Sequence, residues 1–137
     1  MPSIPVRNSG SFRDAAGQVF EHEGRILRGL SPEALSNFES LRTTGFYNNF
    51  TASADIVRSR TVAGDSAVDA IKAMGWAGVI EHDRLPLISY PYEWAFTMLR
   101  DAALLQLELL ERAFAEGWTL KDATSYNVQY TGSNAVF

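Results

Sequence analysis

The stretch WAFTMLRDAALLQLELLERAFAEG, residues 94–117, decides how this chain can fold. Leu99, Ala103, Leu107, Leu110 and Phe114 recur at the three- and four-residue spacing of one helix face, and Gly117 stops the pattern. Leu104, Leu105 and Leu109 carry apolar surface around the cylinder, which predicts a central helix buried on more than one side. The helix is expected to run from about Pro91 to Glu116, with Pro91 and Glu93 at its first turn, which tolerates a missing N–H and welcomes negative charge.

Upstream, Gln18–His22 and Arg25–Arg28 flank the turn pair Glu23-Gly24 and read as a β-hairpin, with Val19, Ile26, Phe20 and Leu27 turned inward. Ser31-Pro32-Glu33 marks a helix start, with Ser31 as cap; Leu35, Phe38 and Leu41 share a face, and Gly45 reads as the stop. Residues 46–49 read as a short helical or irregular piece and 55–62 as a strand. Asp65 caps a helix running to Met74, and residues 79–81 and 85–89 read as short extended segments. After the long helix, Asn127–Tyr130, the turn residues 131–134 and Ala135–Phe137 form a second hairpin. The first 16 residues, with two prolines and no period, read as an extended arm before a single α+β domain over 17–137. The ending within strand-like sequence is expected of an N-terminal fragment of a longer chain.

Composition narrows the chemistry. A length of 137 residues with 46% hydrophobic content suffices for a core. The net charge of −4 supplies no basic field for nucleic acid. Without cysteine there is no disulfide frame or thiolate centre, so any metal would be held mainly by oxygen ligands. No run spans a bilayer, because Arg100, Asp101, Glu108, Glu111 and Arg112 interrupt the longest apolar stretch. No basic-then-apolar leader opens the chain, so a cytoplasmic location is expected. His22 and His82 read as surface or capping groups, and Arg25 and Arg28 as solvated strand residues. Tyr92 and Trp94 read as pinning the long helix to the hairpins.

Between Trp118 and Tyr130, Asp122 and Asn127 stand five positions apart. In isolation they read as turn caps, Asp and Asn being suited to hydrogen-bond nearby backbone. In context, Leu120-Lys-Asp-Ala-Thr-Ser-Tyr-Asn127, after a long helix and before a hairpin, resembles the catalytic loop H-R-D-x-x-x-x-N of the protein-kinase-like fold. The resemblance implies a partial protein-kinase-like arrangement of small hairpins packed with a long central helix. It gives Asp122 the catalytic role of orienting the attacking hydroxyl and Asn127 that of a metal ligand. Arg28 becomes the cofactor-binding cation on nucleotide phosphates, with Glu33 or Glu39 to orient it. Leu120 replaces the signature His, and neither a V-A-I-K lysine nor a G-x-G-x-x-G loop is present.

Phe12-Arg-Asp with Gly17-Gln-Val-Phe20, Ile88-Ser-Tyr-Pro-Tyr-Glu-Trp94 and Leu120–Gln129 also resemble the N-terminal part of bacterial S-adenosylmethionine-dependent methyltransferase-like proteins, including nodulation-type ones. That resemblance spans nearly the whole chain. It implies a recognition or accessory role beside a methyltransferase domain, with the rest of the parent chain as partner and a small molecule or nucleotide as ligand. No S-adenosylmethionine site is expected within these residues: Gly75-Trp-Ala-Gly78 follows a helix and precedes a strand, the reverse of a dinucleotide-type loop. S-adenosylmethionine would be bound elsewhere in the parent chain, and ATP with Mg²⁺ only if later residues complete a site. The alternatives are an active small-molecule phosphotransferase so completed, or a structural interaction domain.

Overall fold

The computed structural model describes residues 4–11 and 14–137. Over the described residues the fold is α+β, four α-helices with a five-stranded antiparallel sheet and a separate two-stranded hairpin. Two compact units emerge, one of residues 1–42 and 58–84, the other of residues 43–57 and 85–137.

The first unit is built on the sheet, in the order β1-β2-β3-β5-β4. The expected hairpin is β2 (Gly17–His22) with β3 (Arg25–Leu30). Glu23 and Gly24 both adopt positive φ at its turn, the conformation a two-residue connection needs to match strand twist. Val6–Arg7, within the expected arm, forms β1 and pairs with β2; Phe12 and Arg13 lie outside the described residues. β5 (Gly78–His82) lies between β3 and β4 (Ser59–Val62), so of the strand predicted over 55–62 only its second half joins the sheet.

Register decides which hairpin residues form the core. Phe20 pairs with Leu27, and both are fully buried beside Val79, beneath Ala67, Val68 and Ile71 of α3 (Ser66–Ala73). Val19 and Ile26 alternate to the opposite face and are only half-buried. Asp65 caps α3 as its position predicts, accepting from Val68 N at 2.9 Å. Ser31 caps α1 (Pro32–Leu41) in the same way. Gly45 is not the end of that helix: α1 stops four residues earlier, and Gly45 opens α2 (Gly45–Ala52), which Thr44 caps.

The second unit contains α2, α4 (Phe96–Ala115), and the hairpin of β6 (Gln129–Thr131) with β7 (Asn134–Val136). A one-turn 3-10 segment at Pro91–Glu93 precedes α4, so Pro91 opens that turn rather than the helix. Gly117, at φ +80°, lets Trp118 N reach back to Ala113 O at 2.9 Å and Gly117 N to Phe114 O at 3.1 Å, closing the helix with its last carbonyls satisfied. Residues 85–89 form no strand.

Burial of α4 is one-sided, contrary to the expectation from its composition. Ala102, Leu109 and Ala113 are buried, whereas Leu99, Leu104, Leu107 and Phe114 are exposed. The small alanines allow close approach by the hairpin; a helix apolar all round gives periodicity no means of choosing between its faces. Among the described residues no helix is long and apolar enough to cross a membrane.

Candidate functional site

The loop after α4 brings Asp122 and Asn127 together. Asp122 takes a left-handed φ of +54°, which Asp adopts more readily than most residues. Its carbonyl accepts from Thr124 N at 2.7 Å and from the Asn127 side-chain amide. Asn127 closes a 3-10 turn, its own N–H donating to Thr124 O at 3.0 Å. Gln106 of α4 donates to Thr124 O at 2.8 Å and moors the loop. With its amide nitrogen occupied by backbone, Asn127 could offer a cation only its side-chain oxygen, and Asp122 could offer one carboxylate. Among the described residues no three His, Asp or Glu side chains gather as a metal-binding group. The pair is therefore too small a donor set to hold Mg²⁺ unaided.

Arg28 belongs to the other unit. It sits at the centre of β3, opposite Val19 and Ile80, and pairs with the Asp14 carboxylate. Its Nε is buried without a hydrogen-bond partner. Neither arginine of this hairpin is the solvated residue its sequence suggests, because β5 and the α3 cap bring Glu81 and Asp65 to Arg25, and the turn before β2 brings Asp14 to Arg28. Arg25 holds Asp65 and Glu81, each at 2.9 Å, and Glu81 also takes Arg60 at 3.0 Å. The Asp65 carboxyl is held below its usual range by the Val68 backbone donor and then by Arg25. That of Glu81 is lowered chiefly by its hydrogen bond to Arg25. Glu39, a suggested orienting group, pairs with Arg42 of its own helix at 3.2 Å.

Both histidines depart from the surface reading. His22 is buried on β2, its Nδ1 without a partner. His82 lies half-buried beside Ser59, Oγ to Nδ1 at 2.6 Å. Burial, and then the Arg28 charge, push the His82 pKa down to about 4, so the ring is neutral at pH 7. The partners stand 23 residues apart in the chain and meet only through the β4–β5 register. Nothing local in the sequence announces them.

The aromatic segment before α4 divides in two. Trp94 stands edge-on to Tyr130 at 5.2 Å and donates to Ser89 Oγ at 2.9 Å, so it ties the helix start to the hairpin as expected. Tyr92 does not: it is 75% exposed and stacks on Tyr90 at 5.5 Å.

Also within the second unit, an open groove of about 590 Å³ runs between α4, the β6–β7 turn and residues 53–55. Asp55, Asp101 and Glu108 supply three carboxylates, and Ser53, Thr131 and Ser133 supply hydroxyls. Its volume is that of a small-molecule site. Asp122 and Asn127 do not line it. It escaped the sequence reading because its lining comes from three separate segments.

In sequence, the chain is similar to a protein of the nodulation type. The chain is 38% identical over 142 residues to Nodulation protein NoeA of Rhizobium meliloti (strain 1021), the match covering 97% of this chain and 27% of NoeA. It thus spans about a quarter of that protein's length. No family model and no solved structure matches the chain.

Proposed function

We propose that the chain is the recognition or accessory part of a larger, cytoplasmic, methyltransferase-like protein of the nodulation type, and that it binds rather than transforms its ligand. The groove beside α4 carries this reading. Three carboxylates and three hydroxyl side chains around one open cleft suit a small ligand rich in amines or hydroxyls. The similarity to about a quarter of NoeA supports a part that works within a longer polypeptide, whose remainder would be its partner and would hold S-adenosylmethionine. The test is amide-resolved NMR of the chain against a panel of small amines and polyols. Shifts confined to Asp55, Asp101, Glu108 and the β6–β7 turn, and abolished by Asp101→Asn with Glu108→Gln, are expected. Calorimetric titration with S-adenosylmethionine should be flat, and tight binding of that cofactor would defeat the proposal.

A second reading, a kinase-like phosphotransferase completed by residues after 137, draws on the Asp122–Asn127 loop. Left-handed backbone at a polar residue, tied in place by an amide five residues on, is a conformation that functional loops use. In that reading Asp122 orients the attacking hydroxyl and Asn127 lends its oxygen to Mg²⁺. Phosphate release from ATP by a longer polypeptide, lost on Asp122→Ala, would favour it over the binding role. The 137-residue chain itself should release none above the Asp122→Ala control.

A further inference from the structure

The outward face of α4 carries a pattern that the loop does not use and that meets the groove only at Leu104. Phe96, Arg100, Leu104, Leu107, Glu111 and Phe114 follow one another at spacings of four, four, three, four and three, which places them on a single stripe. All six are exposed, Phe96 at 80% and Leu107 at 63%. The stripe is about 27 Å long at 1.5 Å per residue. It lies opposite the buried stripe of Ala102, Leu109 and Ala113.

The order along the stripe is nearly palindromic. Arg100 and Glu111 stand equally far from a midpoint between Leu105 and Gln106, and so do Leu104 and Leu107; Phe96 and Phe114 are within one residue of doing so. Reversing the helix about that midpoint therefore exchanges leucine with leucine, aromatic with aromatic, and a cation with an anion. A two-fold axis there would set Arg100 of each copy beside Glu111 of the other, with the leucines between them. We propose that α4 pairs antiparallel with α4 of a second copy of this chain through this stripe.

Charge argues against a lipid surface in the same place. Amphipathic helices that lie on membranes carry Lys and Arg along their polar flanks, whereas α4 bears Asp101, Glu108 and Glu111 against Arg100 and Arg112. Arg100 contacts Asp101 at 2.8 Å, but this is an exposed pair between sequence neighbours and presents little barrier to exchange for Glu111. A seam one helix long is at the small end of specific interfaces, so association in the micromolar range is expected. The pairing does not rest on the ligand reading of the groove.

Sedimentation velocity of the 137-residue chain across a concentration series tests it. A monomer–dimer equilibrium is expected, weakened at least tenfold by Arg100→Glu or by Glu111→Arg alone. The double variant R100E/E111R should return to within about threefold of the original, since the reversed charges again face opposite partners. Circular dichroism should be unchanged in all three, their side chains being exposed. A chain monomeric at every concentration overturns the proposal and leaves the stripe to a different polypeptide. A dimer indifferent to the single reversals overturns it as well.

Discussion

The two units use apolar surface in opposite ways. In the sheet unit, Phe20, Leu27, Val68, Ile71 and Val79 are at most 2% exposed, and the charges above them are tied into the Arg25–Asp65–Glu81–Arg60 network. In the helical unit, only one stripe of α4 is covered. Ten of the thirteen exposed large apolar side chains among the described residues belong to it, from Leu87 to Tyr126. A sheet capped by a helix consumes its own hydrophobic surface, whereas a long helix resting on a two-stranded hairpin cannot, because three-residue strands are too narrow to cover a cylinder. The difference places the closed core in the first unit and most of the exposed apolar surface in the second.

The comparison breaks most sharply at Phe20. Phe20→Ala should cost about 3–5 kcal/mol in chemical unfolding, since a fully buried ring between β3 and α3 leaves a cavity that strands cannot close. Next is the pH dependence of the same unit. His82 takes its proton near pH 4 when folded and near 6.5 when unfolded, so below about 6.5 the unfolded state binds more protons. Stability is therefore lost as pH falls from 6.5 to 4, by about 3 kcal/mol from this residue. His82→Gln should flatten that interval in urea titrations. The depressed carboxyls of Asp65 and Glu81 act further down, their contribution present above about pH 4 and lost as pH drops through their folded values.

Smaller effects sharpen the contrast. Asp65→Ala removes the α3 cap and a partner of Arg25, and should cost about 1–2 kcal/mol of unfolding free energy. Gly117→Ala forces a side chain into left-handed backbone and should cost about 1 kcal/mol, read as a lower melting temperature. Leu107→Ala should change monomer stability by less than about 0.5 kcal/mol, since its side chain is already in water. A large loss at Leu107 would show the outward stripe to be core and erase the contrast between the units.

Local signals were read faithfully where the responsible interaction is local. Ser31 and Asp65 cap helices because each accepts a hydrogen bond from a backbone N–H three residues on, and Glu23-Gly24 turns because two adjacent residues can take positive φ. Gly45 misled because a glycine after an apolar run serves as a stop or as the opening of the next helix, and only Thr44 capping Tyr47 N distinguishes them. The polar groove was illegible, its walls coming from residues 53–55, 101–108 and 131–135.

By itself, then, the sequence determined the α+β class, the hairpin turn, the caps at Ser31 and Asp65 and the existence of the long helix, since each leans on signals within a few residues. Tertiary structure alone decided that Phe20 and Leu27 rather than Val19 and Ile26 form the core, that Arg28 meets Asp14, that His82 meets Ser59, and which face of α4 remains open. Those outcomes follow from strand register and helix rotation, and a residue's neighbours across a sheet or around a helix are set by where distant segments land.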